Sequence, residues 1–496
     1  MISITTASTY ANKDVLRTRF AAAMSSMYRS EVPLYGDLIE IVRNTNKSVL
    51  NDVNAKAQPS DSRGINVTIE RLSQERHGAI RLGTPYELRI IKRVFELLGM
   101  YPIGYYDLSI AGLPMHATCF RPLEISSLDS NPFRVFTTLL RPELLVSENA
   151  RRISLDLLDK RNIFSNVLLK ILDEAEVKGG RLNEDKTEIF IQEALSAFSW
   201  QPIAAATFDQ YEILKAEHPI LADIACFKSA HINHLTPRTL DISAVDLAMK
   251  RAGMAAKDTV EGPPARECPI LLRQTSFLAL EEAVRFRWNE NQSIDGDVSR
   301  GALIEASHRA RFGEIEERGA AVTQKGRELY DRLLRESQKQ RAGTTALKAA
   351  EITTKVFNEF PDTWRELRLQ NLIYCEFKLK KAATMLSLDS KNGPILEQLI
   401  SMNVVEAVPI TYEDFLPFSA AGIFQSNLQS SNSSQCALKL PLGVSQSGAD
   451  LKGLEEAMNT SISDLDAWYS AVQMKSLKDV GKSLGFTLEE LMPSYV

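Results

Sequence analysis

Strand-like segments in this chain of 496 residues are short and far apart, and long helical stretches separate them. YPIGYYDLSIAG (101–112), ADIACFKSAHINHLTPR (222–238), ARFGEIEERGAAVT (310–323) and VVEAVPITYEDFLP (404–417) carry the aromatic and β-branched residues that favour strands. A lone strand leaves its backbone donors and acceptors unpaired, so segments this distant must meet in space. The order therefore predicts an α+β chain whose sheet is assembled non-locally.

The helical stretches have recognisable limits. Apolar residues recur at helical spacing across 10–55, with an interruption near Pro33. TPYELRIIKRVFELLGM opens on Thr84 and Pro85 and closes on Gly99, a start and a stop for one amphipathic helix. Residues 142–215 read as mainly helical, as do GRELYDRLLRESQKQR (326–341) and most of 340–400. Residues 288–308 are polar and turn-rich and read as a surface insertion between strands. The predicted organisation is a helical N-terminal segment (1–60), an α+β metal-binding domain (61–440) with helical insertions at about 142–215 and 326–400, and a C-terminal loop and helices (441–496).

Composition removes several classes of function. A net charge of −5 with a pI near 5.9 offers no electrostatic attraction to nucleic acid or an acidic membrane. The longest apolar runs fall short of a membrane span. The five cysteines are scattered without a CxxC, which fits a reduced, cytoplasmic setting, with an organelle as the other reading of the hydroxyl-rich start. Neither GxGxxG nor GxxxxGK[ST] occurs, nor GxSxG, so nucleotide cradles and nucleophile-elbow hydrolases drop out.

Six histidines remain, and two stand out. His77 in QERHGAIRLG is four residues from Arg81, so the two share a face in a helix or a strand. His231 and His234 in HINHLTPR would share a helix face but oppose each other on a strand, and Pro237 favours the strand end. Glu314 and Glu316 in FGEIEERG share a face on a strand, where two carboxylates repel unless a cation lies between them. Two imidazoles and a carboxylate suit non-haem Fe(II). Each pair also has a plain reading: a surface histidine before a helix, unrelated polar histidines, an exposed edge strand. FSAAGIFQSNL, around Phe418 and Ser419, has the small residues of a ligand-contacting loop or of an ordinary turn. His116, His218 and His308 have no partner at ligand spacing.

Five stretches together resemble the 2-oxoadipate dioxygenase/decarboxylase (2-hydroxyglutarate synthase) family, which is related to the vicinal-oxygen-chelate superfamily. They are RHGAIRLGTPYELRIIKRVFELLGMYPIGYYDLS, HINHLTPRTLDI, VEGPPARECPILLRQTSFLALEE, RFGEIEERGAAVTQKGRELYDRLL and YEDFLPFSAAGIFQSNL, spread over about 70–430. The resemblance implies a central, partly open β-barrel-like sheet with helices around it. It implies Fe(II) held by His77, His234 and a glutamate of FGEIEERG, placed on Glu316 with Glu314 as second choice. Arg81 matches an arginine that holds the substrate carboxylate, and Ser419 a substrate-lining serine. Phe418 departs from a smaller aliphatic residue, which alters the pocket. The implied reaction turns 2-oxoadipate and O2 into 2-hydroxyglutarate and CO2 in lysine catabolism. Another 2-oxo acid, or a non-catalytic metabolite-binding role, are the alternatives.

Overall fold

The structure is a computed structural model that describes residues 9–54, 68–287, 303–341, 343–380, 394–416 and 448–491. The predicted N-terminal helices form as Lys13–Glu31 and Pro33–Asn54, with Pro33 as the first residue of the second helix. Proline is tolerated there because the first turn has no intrahelical use for its N–H. The helix Pro85–Leu97 begins on a capping box between Thr84 and Glu87, and Gly99 takes a left-handed φ of 70° just beyond its end.

Twelve strands are described: β1 (Arg76–Leu82), β2 (Tyr101–Asp107), β3 (Met115–Arg121), β4 (Arg134–Leu140), β5 (Ile203–Thr207), β6 (His234–Pro237), β7 (Leu272–Ser276), β8 (Glu281–Arg287), β9 (Leu303–Arg309), β10 (Glu314–Arg318), β11 (Cys375–Leu379) and β12 (Val405–Pro409). The largest sheet has the order β2-β3-β4-β1-β6, with β1 and β4 parallel and the other pairs antiparallel. Non-local assembly holds: β6 joins this sheet from more than 140 residues downstream of β1. One sheet does not hold. Strands β5, β8 and β9 form a second sheet, β7 and β10 a third, and β11 and β12 a fourth, with no closed barrel among the described residues. A bridge between Arg238 and Glu316 ties β10 to the end of β6.

One strand-like reading and two helical ones change. ADIAC is the end of a helix, Pro219–Ala225, capped by His218, because Pro219 sits where a first turn accepts it. Strands β5 and β11 lie inside stretches read as helical, their alternation being too short to stand out from the flanking periodicity. Of the 288–308 insertion, 303–308 belongs to β9, and 288–302 lies outside the described residues.

Strands β1, β3, β4 and β6 are buried at every position, so helices cover both faces of the sheet. Side-chain alternation sorts the faces. Ile80, Leu82, Phe120, Val135, Leu139 and Leu235 join Phe20, Met24 and Phe95 of the covering helices in one core. Ala79, Ala117, Cys119 and Phe136 join Ile220, Phe227 and Phe415 in a second core on the opposite face. That second face also carries His77 and Arg81 of β1, Arg134 of β4 and His234 of β6.

Two buried histidines outside that face set an acid limit on folding. Burial pushes His116 down to about 4, with Arg141 adding to it, and burial pushes His218 to about 4, with Arg81 adding to it. Both are neutral when folded, whereas the unfolded chain protonates its histidines near 6.5. Stability is therefore full above about pH 6.5 and falls as the pH drops towards 4, by on the order of 3 kcal/mol for each histidine. Urea midpoints at pH 7 and 4.5 measure this. A double variant, His116→Gln with His218→Asn, has the shallower loss; an equally steep loss contradicts the assignment.

Candidate metal centre

Strand register builds the site. His77, Ala79 and Arg81 alternate onto one face of β1. Thr236 pairs with His77 and His234 with Ala79 across β6, while Arg134 pairs with His77 across β4. Paired residues point to the same side, so both histidines and Arg134 converge on that face. Strand β10 lies against β6 and adds Glu314, Glu316 and Arg318, alternating with the apolar core residue Ile315.

Three side chains converge. The ligand atoms of His77, His234 and Glu314 lie within 4.8 Å of one another, and all three residues are buried. His77 Nε2 is 2.9 Å from Glu314 Oε1, and His234 Nε2 is 3.8 Å from the same oxygen. The imidazole rings stand edge to face with centroids 5.5 Å apart. Thr236 donates its hydroxyl to Glu314 Oε1 at 2.9 Å. No donor among the described residues reaches the buried Glu314 Oε2. A buried carboxylate oxygen without a donor, facing two imidazoles, fits a cation.

Glu316 is not in this cluster. Its Oε2 lies 2.8 Å from His77 Nδ1 and accepts from Arg318 Nη2 at 2.7 Å, and its Oε1 is 3.6 Å from Arg134 Nη1. The two same-face glutamates thus flank opposite edges of one imidazole. The structure brings Glu314, the second choice, together with both imidazoles, whereas the expected Glu316 lies behind His77. A carboxylate behind a histidine fixes the tautomer and frees the other nitrogen to bind metal.

The titration of the group follows from this packing. Burial opposes protonation of His77, but Glu316 and Glu314 together outweigh it and raise its value. Burial holds His234 at about 4, so it is neutral at pH 7 with a lone pair available. Burial disfavours the Glu316 anion, yet Arg318, His77 and Arg134 hold it well below the usual carboxylate range. Glu314 is lowered too, against burial, by His234 and His77.

Behind Glu316 runs a buried ionic network. Arg134 meets Glu75 at 3.0 Å and also Glu413. Glu75 further accepts from Arg71 at 3.0 Å and Arg238 at 3.3 Å. Arg121 grips Asp414 with two bonds of 2.8 and 3.0 Å.

Arg81 lies on the same face as His77 and is buried, as expected, and pairs with Asp223. His231 is 3.1 Å from Asp223 Oδ1, and His308 is 2.9 Å from the same atom. His308 had no partner at ligand spacing in the sequence, and Asp223 went unremarked. One signal was present: an aspartate inside the apolar run PILADIACF is a buried carboxylate that needs partners. Phe418 and Ser419 lie outside the described residues.

A mixed α+β scaffold that buries two histidines and one carboxylate within reach of a single point has the donor set of a metal-dependent enzyme. The model of the 2-oxoadipate dioxygenase/decarboxylase family matches residues 20–427. The chain is 43% identical to the 2-oxoadipate dioxygenase/decarboxylase of Pseudomonas putida over 96% of its own length and 98% of that protein's. It is 42% identical to the Escherichia coli protein of the same name, over 94% and 98% of the two chains. The crystal structure of the P. putida hydroxyglutarate synthase superposes with a TM-score of 0.80 at 39% identity, covering 97% of this chain and all of that one. A second structure of that protein, in complex with 2-oxoadipate, matches equally. The chain belongs to the 2-oxoadipate dioxygenase/decarboxylase family. It is an enzyme, and the non-catalytic alternative falls away. No helix among the described residues is long and apolar enough to cross a membrane.

Proposed function

We propose that this enzyme is an Fe(II)-dependent dioxygenase that converts 2-oxoadipate and O2 to 2-hydroxyglutarate and CO2, as a step of lysine breakdown in the cytoplasm. The carrying observation is the buried His77–His234–Glu314 cluster in a chain so similar to relatives of that name. Both oxygen atoms end in the products, so the equation balances without a co-substrate. Bound iron would supply the redox chemistry that brings a chelating 2-oxo acid and O2 to reaction.

The protein's own residues do the rest. The imidazoles of His77 and His234 and the carboxylate of Glu314 would hold the metal. Glu316 accepts the Nδ1 proton of His77 and keeps Nε2 turned towards the centre. Arg318 and Arg134 hold Glu316 as an anion in that place. Phe415, 4.9 Å from the His77 ring centroid, and Phe136 give the site an apolar wall that keeps water from the ligands. Arg81 binds a substrate carboxylate through charge-assisted bonds. By resemblance to the family, Ser419 would line the substrate, with Phe418 beside it in place of a smaller aliphatic residue. The convergence of the candidate ligands from one face of the five-stranded sheet and from β10, bridged to the end of β6, supports the vicinal-oxygen-chelate reading of the scaffold. The four cysteines among the described residues are buried and free, which supports a reducing compartment.

An oxygen electrode and CO2 trapping test this reading. Fe(II)-loaded enzyme given 2-oxoadipate consumes O2 and releases an equal amount of CO2, with 2-hydroxyglutarate as the organic product. Full iron loading with no O2 uptake on 2-oxoadipate, and turnover of another 2-oxo acid, assigns the substrate elsewhere.

A further inference from the structure

The buried group around Asp223 has no task in the chemistry above. Asp223 is 3% exposed and sits on the short helix Pro219–Ala225. Its Oδ2 takes Arg81 Nη1 and, at 3.3 Å, Asn233 Nδ2. Its Oδ1 faces His308 Nε2 at 2.9 Å and His231 Nε2 at 3.1 Å. The Tyr211 hydroxyl is 3.1 Å from His308 Nδ1, on the far edge of that ring. Trp200 and Phe227 close over both imidazoles, with centroids 4.8 Å from Trp200 to His231 and 4.8 Å from Phe227 to His308. A helix, β1, β9 and the approach to β6 therefore meet on one carboxylate.

The register says what Arg81 can reach. His234 faces Ala79, and Arg81 is the next residue on the same face, roughly 6.6 Å further along the strand. The two carboxyl carbons of an extended six-carbon diacid are separated by a comparable span. With the 2-oxo acid head at the histidines, Arg81 meets the far carboxylate. A guanidinium is a rigid planar fork, so fixing one nitrogen fixes the directions of all its N–H bonds. Asp223 fixes Nη1, and two imidazoles fix Asp223.

We propose that Asp223, braced by His231 and His308, is the positioning residue that aims Arg81 at the far carboxylate and thereby sets the preference for 2-oxo diacids over 2-oxo monoacids. This rests on the reading of the enzyme as acting on 2-oxoadipate. Loss of the brace leaves the ligands of the metal untouched, so the change belongs to the recognition of one end of the substrate.

The test compares 2-oxoadipate with 2-oxohexanoate, which lacks the far carboxylate, on the Fe(II)-loaded wild type, Asp223→Asn and His308→Gln. Readouts are kcat and KM, calorimetric binding of each acid under nitrogen, and a thermal melt. Asp223→Asn raises KM and Kd for 2-oxoadipate by about tenfold or more, while those for 2-oxohexanoate stay within about twofold. His308→Gln shifts the same ratio in the same direction by less. A folded Asp223→Asn that loses both acids equally, or neither, overturns the proposal. If Asp223→Asn shows no folding transition, the ratio for His308→Gln decides by the same criterion. A wild type inert on 2-oxoadipate but active on another 2-oxo diacid fails the substrate reading alone, and that diacid with its monoacid then supplies the comparison.

Discussion

Glu314→Gln removes iron and activity, whereas Glu316→Gln leaves a working enzyme that binds iron more weakly. The two glutamates are two residues apart on β10 and share one face, yet they touch opposite edges of His77. Glu314 faces both imidazoles and has an oxygen that no described donor reaches, so an amide there loses the only carboxylate of the cluster. Iron content falls from one per chain to near none, and turnover falls by about a thousandfold or more, the scale of losing several kcal/mol of barrier lowering. Glu316 touches His77 Nδ1, Arg318 and Arg134 instead. A glutamine in its place still accepts the Nδ1 proton but loses the charge that polarises the ring. Loss of such a backing carboxylate costs about 10–100-fold in metal affinity. Excess Fe(II) therefore restores most of the Glu316→Gln rate and none of the Glu314→Gln rate. The reverse ranking in iron titrations places the metal on Glu316.

Arg134→Met carries the largest expected loss of stability. Arg134 is fully buried and stands between Glu75, Glu413 and Glu316. Burial works against its charge, but Glu413, Glu75 and Glu316 together hold its pKa well above the ordinary arginine range. Methionine fills similar space and leaves three buried carboxylates with one cation fewer. Arg71 and Arg238 still serve Glu75, and Arg318 still serves Glu316, while all three carboxylates lose the cation they share. Removing one partner of a buried ion pair costs about 3–5 kcal/mol. That is a large share of a total stability of about 5–15 kcal/mol. The urea midpoint drops accordingly, and iron affinity drops with it because Glu316 loses a support. An unchanged midpoint shows that the network is dispensable for folding.

How far the sequence disclosed this centre depends on the range of each interaction. His77, Arg81 and His234 were legible because each sits in a long, distinctive stretch, and because alternation along a strand fixes which residues share a face. The same alternation is what hid the choice between Glu314 and Glu316: both satisfy it. Their difference comes from Thr236, Arg134 and Arg318, which arrive from three strands whose register no local pattern encodes. The capped helices were legible from Thr84, Pro85 and Gly99 and from Pro33, since caps act within one turn. Strands β5 and β11 were not, being five residues each within helical surroundings. The division into four sheets was hidden for a related reason, because strand order is a property of contacts between segments. Asp223, His231 and His308 form a group only in the fold; in the chain they span 85 residues between Asp223 and His308.

The proposed centre holds one metal ion between His77, His234 and Glu314. Anomalous diffraction at the iron edge, from crystals soaked in Fe(II) under nitrogen, tests it most directly. A single strong peak is expected within coordination distance of His77 Nε2, His234 Nε2 and a Glu314 carboxylate oxygen. A peak on Glu316 or elsewhere in the chain, or no peak from protein that turns over at full rate, contradicts it.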